Sequence, residues 1–195
     1  MKKILLLLTL AAIFVFTSIS TVLAQDTPFK SYSFTKKKAS AQWSARKTYV
    51  IGKNRRLGLF NNRNKRYPSQ TVLSISNLPD GKSVDVKLDV IFVGSWDNEG
   101  KLADRFTVTV LNGPIVLDMR KFPCTLIDSD DTKPLNNNGF VQVGERDRAY
   151  WIKPLSFEIS PDLIKNNELK LEFKGYLTGR KTEFWAIDNV QIFVN

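Results

Sequence analysis

From Val84 to Val90 the chain alternates without interruption. Val84, Val86, Leu88, Val90 and Phe92 fall on one face of an extended strand, and Asp85, Lys87 and Asp89 on the other. A period of two with one dry face is the mark of a strand, and the apolar side demands a second layer to cover it. The pattern continues through Ser83–Asp118. Phe106, Val108 and Val110 alternate with Thr107 and Thr109, and Asn112-Gly113 is a turn signal before Ile115-Val116-Leu117. Two long strands and the start of a third are expected, with a loop between the first two that carries Trp96, Asp97 and Asp104.

The rest of the chain repeats this texture. Gln42–Ile51 reads as a strand bearing Trp43 and Tyr49, and Val72–Leu78 as another, closed by the turn Pro79-Asp80-Gly81. Tyr150–Ile159, Glu168–Leu177 and Phe184–Val194 supply three more, the middle one alternating Leu169, Leu171 and Phe173 with Lys170, Glu172 and Lys174. Gly144–Arg148 reads as an exposed turn, and Ser160-Pro161-Asp162-Leu163-Ile164 as a single helical turn with proline at its first position. No segment holds a helical period. Short strands with Gly, Pro and Asn turns predict an all-β fold, a two-sheet antiparallel β-sandwich. In the last strand Trp185 and Ile187 keep one phase while Val190, Ile192 and Val194 keep the other. A slip of one residue at Asp188-Asn189 predicts a β-bulge. Asp188, a carboxylate among apolar neighbours, then needs a partner.

Residues 1–24 read differently: Lys2-Lys3, an apolar run from Ile4 to Phe16, and Val22-Leu23-Ala24 before Gln25. This is the layout of a signal peptide, with an uncleaved N-terminal anchor as the alternative. Residues 25–195 then form a single domain, secreted, periplasmic or held in the cell envelope. Nothing after Gln25 is long and apolar enough to cross a membrane as a helix. Subtracting Lys2 and Lys3 lowers the formal charge from +10 to +8. An exported basic protein is drawn to anionic surfaces, unless the charge serves only solubility. Histidine is absent, which removes Ser-His-Asp and Cys-His catalysis and His-ligated zinc. Cys124 is the one cysteine, so no intramolecular disulfide exists, and its neighbours Phe122, Leu126 and Ile127 suit a small buried thiol.

Three stretches stand apart from the strands. Asp26–Ser40, with Lys36-Lys37-Lys38, reads as an exposed leading segment or an edge strand. Lys53–Gln70 is the most basic, its Arg55, Arg56, Arg63, Lys65 and Arg66 surrounding Leu57-Gly58-Leu59-Phe60 and ending in Tyr67-Pro68. Cys124–Gly139 is a long polar loop.

The closing FWAIDNVQIFV resembles the last strand of many bacterial carbohydrate-binding modules and of MAM domains. Upstream, the order Leu-Gly-x-Phe, Leu-Pro, Ser-Trp-Asp and Asp-x-Phe-x-Val resembles a bacterial sandwich domain of the jelly-roll, galactose-binding-like class, with Asn98 standing where glycine follows Trp-Asp. The resemblance spans most of Leu57–Val194 and implies a jelly roll and a binding rather than a catalytic role. In such modules the terminal-strand Asp often ligates a structural calcium, and Asp188 matches that position. Asp97 and Asp104 are added from spacing, as further oxygen ligands of a Ca2+ site. The alternative is that Asp97 caps its own turn and Asp188 accepts a hydrogen bond from Trp or Arg.

Four functions follow from these residues. A carbohydrate-binding module needs flat aromatic faces and amides, for which Trp96 and Asn98 in the loop are the candidates, with core packing as the alternative for Trp96, and Arg55, Arg56, Arg63, Arg66 and Tyr67 for anionic groups. A structural or adhesive envelope protein needs only a stable sandwich. A polysaccharide-active enzyme needs two facing carboxylates, and Glu145 with Asp147 or Glu172 with Glu183 are possible pairs. The basic patch with Phe60 and Tyr67 also suits nucleic acid, against which export argues. The partner expected is a polysaccharide or another anionic surface component.

Overall fold

The computed structural model describes residues 27–62, 69–98, 103–122, 137–179 and 181–195. Residues 1–24, expected as a signal peptide, and Arg63, Arg66, Tyr67, Cys124 and most of the loop after it lie outside the described residues. Within them the strands are β1 (Lys30–Tyr32), β2 (Thr48–Ile51), β3 (Asn54–Phe60), β4 (Gln70–Ile75), β5 (Val84–Gly94), β6 (Arg105–Val110), β7 (Ile115–Met119), β8 (Gly139–Val143), β9 (Arg146–Ile159), β10 (Leu169–Tyr176) and β11 (Glu183–Val194).

They form two antiparallel sheets. The larger runs β2-β3-β11-β5-β9-β8, with β1 also paired to β11, and the smaller runs β4-β10-β6-β7. This is the expected sandwich. Without β1, β2 and β8, the strands β3-β11-β5-β9 lie over β4-β10-β6-β7, which is the strand order of a jelly roll. The loop carrying Trp96 crosses from β5 in one sheet to β6 in the other, at one end of the sandwich.

The dry face read from β5 is buried throughout. It packs in the inter-sheet core with Trp43, Phe106, Phe173 and Trp185. The strand expected over Gln42–Ile51 is confined to Thr48–Ile51. Trp43 instead bridges to Leu73 of the opposite sheet and meets the rings of Tyr32, Phe34 and Phe173 at 5.7–5.8 Å. That aromatic group draws the leading segment in. Its β1 pairs with β11 as an edge strand, Tyr32 and Phe34 are buried, and Lys36-Lys37-Lys38 stay in solvent. The helical turn forms as a 3-10 turn at Pro161–Leu163.

The outer face of the large sheet is also partly covered. β3 pairs with β11 through Phe60, Gly58 and Leu57 and then parts from it. β1 takes the edge of β11 from Val190 to Ile192. The β2–β3 hairpin stays paired to its tip, Ile51 opposite Asn54, and lies over the sheet. Ile51 joins Ile91, Val93, Tyr150, Phe184 and Ala186 in a second apolar cluster on that face. Gly52 sits at the tip with φ 64°, and a Cβ there would stand 2.3 Å from the Tyr150 hydroxyl oxygen. Only glycine fits so close an approach.

The bulge appears where the phase slips. Asp188 pairs with Asp89, pairing resumes at Gln191 with Lys87, and Asn189 between them has φ 50°. Asp188 thus turns to the outer face and finds its partner in Arg56, Nε to Oδ2 3.9 Å, with side chains only 6% and 8% exposed. Burial holds the Asp188 carboxyl above its ordinary value, although the Asn189 amide and then Arg56 pull it down. Arg56, expected on a solvent-facing basic patch, is therefore an interior cation, its guanidinium 5.8 Å from the Tyr150 ring centre. The reason is the hairpin's fold across the sheet, which carries Arg56 inward. Arg55, half-exposed, donates to the Thr48 carbonyl oxygen at 3.3 Å.

A buried charge left without its partner is costly, by about 3 kcal/mol or more. Urea unfolding of Arg56→Met and Asp188→Leu should show each single change destabilising by about that amount. The double change should lose well under the sum. Losses that add to within about 0.5 kcal/mol would show that the two groups do not interact.

Candidate functional site

Two features of opposite charge meet at the first residues of β11. One is a carboxylate trio. Asp97 and Asp104 lie at the two ends of the β5–β6 loop, and each amide serves the other residue: Asp97 N–H donates to Asp104 Oδ2 at 2.8 Å, and Asp104 N–H to the Asp97 carbonyl at 2.9 Å. Glu183 opens β11, and one oxygen from each of Asp97, Asp104 and Glu183 lies within 4.8 Å of the others. Asp104 and Glu183 are buried, while Asp97 reaches solvent.

Burial, and after it the charges of Asp104 and Asp97, drive the Glu183 carboxyl from 4.5 to about 7, against the pull of the Gly179 amide. Burial likewise raises Asp104, outweighing the Asp97 and Thr178 amides that stabilise its charge. Three converging hard oxygen donors whose ionisation burial and mutual charge oppose form a set that a divalent cation suits.

Glycine at position 94 makes this end possible. It pairs with Glu183 at φ 87°, and a Cβ there would lie 1.7 Å from the Thr182 carbonyl oxygen.

The residues singled out in the loop have structural roles. Trp96 is not the exposed platform expected of it. It has no exposed surface, donates from Nε1 to the Phe184 carbonyl at 3.0 Å, and packs on Phe92 and Phe122 at 4.7 Å. An indole next to a sheet-to-sheet crossing closes the end of the core, and its one donor finds a strand carbonyl. The Asn98 side chain grips the Phe122 backbone, accepting from its N–H at 2.6 Å and donating to its carbonyl at 3.4 Å. Trp43, Trp151 and Trp185 are buried as well. Asp188 does not join Asp97 and Asp104. It stands five residues beyond Glu183 on the same strand, an odd offset that sends it to the opposite face, and roughly 16 Å away along β11. Glu183 takes the third place that the sequence reading gave to Asp188.

The second feature is a cleft of about 880 Å3 on the outer face of the large sheet, between β2–β3 and the β8–β9 hairpin. Arg46, Lys47, Arg146, Arg148 and Lys181 line it, with Glu145 as the one carboxylate among the described lining residues. Half-buried Tyr49 provides ring surface, the buried Phe184 forms part of the floor, and Lys47 lies over the Tyr49 ring at 4.7 Å. Arg46 Nε donates to the Ala39 carbonyl at 2.9 Å, which fixes the guanidinium at the rim. Arg148 Nε is buried with no hydrogen-bond partner among the described residues. None of these cations belongs to the Lys53–Gln70 stretch. The pleat of β9 puts Arg146 and Arg148 on one face, and the turn at Gly144-Glu145 brings that face over the sheet. Asp147 falls on the other face, so Glu145 and Asp147 do not converge as an acid–base pair. Glu172 and Glu183 belong to different sheets.

The protein is thus a jelly-roll β-sandwich with a basic cleft on one outer face and a carboxylate trio at one end. No family model matches the chain, and no curated protein matches it. Among solved structures it is similar to a carbohydrate-binding module, CBM27-1 of Caldicellulosiruptor saccharolyticus in complex with mannohexaose. That match is 16% identical over 82% of this chain and 83% of that one, with a TM-score of 0.34. It is also similar to the K3 cleaved adhesin domain of Lys-gingipain from Porphyromonas gingivalis, 9% identical over 83% of this chain and 97% of that one, with a TM-score of 0.39.

A carboxyl raised on folding carries an extra proton in the folded state. The contribution of Glu183 to stability is therefore full below pH 4.5 and is lost as the pH rises to about 7. Asp104 and Asp188, also raised, act in the same direction. In chelator, the melting temperature should fall as pH rises from 4.5 towards 7.5, and Glu183→Gln should flatten that fall. A melting temperature that climbs through this window in chelator would contradict the packing of the trio.

Proposed function

We propose that this protein is an exported, non-catalytic binding module whose basic cleft takes an anionic polysaccharide of the cell envelope or its surrounding matrix. The observation that carries this reading is the charge of the cleft: five cationic side chains face one carboxylate around a space large enough for sugar rings. Tyr49 adds an apolar face for C–H contacts, and the arginines add planar donors that suit carboxylate or sulfate. A glycosidase needs two facing carboxylates, and Glu145 alone supports binding rather than hydrolysis. Export rests on the leader-like residues 1–24. It also favours a glycan over nucleic acid, whose phosphates the same cations would attract.

In this reading the trio is a structural calcium site. Asp97, Asp104 and Glu183 would hold the ion, and its charge would relieve the repulsion among three carboxylates. The chain's own part is to fix those oxygens: the Asp97 and Thr178 amides hold Asp104, the latter at 3.0 Å, and the Gly179 amide holds Glu183. Calcium should raise the melting temperature at pH 7.5, and chelator should reverse the gain. An unchanged melting temperature would remove calcium from the account and leave the cleft untouched.

The binding reading is tested by affinity electrophoresis on polyuronate, sulfated and neutral polysaccharides. Retardation is expected on the acidic gels alone and should fade between low salt and about 1 M, where the screening length is near 3 Å. Arg146→Glu with Lys181→Glu, both exposed, should abolish it with the fold intact. No retardation on any acidic polysaccharide would overturn the proposal.

A further inference from the structure

We infer that the cleft, on the reading just given, receives the end of an anionic chain rather than its middle. An open groove across a sheet lets a polymer pass through, but this one is closed at one end by the protein itself. The cleft lining stops at Tyr49 on β2 and at Arg148 on β9. Two residues further on, Ile51 and Tyr150 belong to one apolar cluster, with Ile51 wholly buried. Gly52 at the hairpin tip rests against the Tyr150 hydroxyl so closely that no side chain fits between them. Arg56, from the same hairpin, lies over Tyr150 and pairs with Asp188 beyond it.

The hairpin tip therefore spans the sheet from its β2 edge to β9 as a fixed wall. A separate depression of about 430 Å3 lies around the bulge, lined by Lys87, Asp89, Pro154 and Asn189, and no residue lines both it and the cleft. At the wall, Arg148 lines the cleft and its buried Nε has no hydrogen-bond partner among the described residues. Lys181 and Thr182, from the turn before β11, line the cleft without entering the apolar cluster at the wall. A chain entering from that side would meet Arg148 with its terminal residue and run out into solvent behind it. The ligand class this defines is a polysaccharide whose terminal sugar bears a carboxylate or sulfate.

The test is titration calorimetry of the full chain with a size series of one acidic polysaccharide, from disaccharide to long polymer. End recognition predicts an affinity per chain that stays within about threefold across the series. It also predicts one protein bound per chain end, even on the longest polymer. Arg148→Gln should weaken binding tenfold or more, and Arg148→Lys, which keeps the charge but not the planar fork, by less. Circular dichroism and melting of both variants would show that the fold survives. Affinity that climbs steadily with length, or many proteins bound along each long chain, would overturn end recognition while leaving the cleft as the binding site. Absence of binding to every member, at low salt, would instead overturn the binding reading on which it rests.

Discussion

Strand β11 lies between β5 on one side and β3 and β1 on the other, so both its faces must be served by the rest of the molecule. Its pleat sends Trp185 and Ile187 into the inter-sheet core and Phe184 and Ala186 into the apolar cluster on the outer face. The two features of opposite charge follow from that alternation. Glu183 shares the inward phase and meets Asp97 and Asp104, while Thr182 and Phe184 on either side of it line the basic cleft. One strand thus holds three carboxylates on its inner face apart from five cations on its outer face, although Lys181 and Glu183 stand only two residues apart. Opposite charges placed face to face would neutralise each other, and neither a cation nor an anionic ligand would then find a free field.

The bulge at Asp188-Asn189 performs the next separation. Before it β11 borders β3, and after it β1. The parting of β3 frees the β2–β3 hairpin to cross the outer face, where Ile51 supplies apolar burial and Arg56 with Asp188 a buried charge pair. Interior ion pairs add little net stability over apolar replacements. The pair's consequence here is register: it joins the crossing hairpin to the one point where β11 changes phase.

Much of this was legible in the residues. A strict period of two over Val84–Val90 admits one outcome, and the slip at Asp188-Asn189 marks a bulge because no regular strand buries both phases of β11 on one side. The site was legible only in part. Asp97 and Asp104 were close in sequence and converged. Glu183 was hidden because its partners come from a loop about eighty residues away, and no local pattern reports that distance. Trp96 looked exposed because it sits in a loop, yet this loop closes the end of the sandwich and a large ring next to it is drawn into the core. Arg46, Lys47, Arg146, Arg148 and Lys181 come from three separate stretches of chain. Charge density along the sequence pointed instead to Lys53–Gln70, whose Arg56 the hairpin buries.

The account stands on the outer face of the large sheet being where the partner binds. Hydrogen–deuterium exchange with and without a short acidic oligosaccharide reads this directly across the whole backbone. Protection should gather at residues 45–49, at the Val143–Arg146 turn and at 181–184, with the outer face of β4-β10-β6-β7 unchanged. Protection centred on Arg105, Lys174 and the exposed ring of Tyr176, on the opposite sheet, would contradict it.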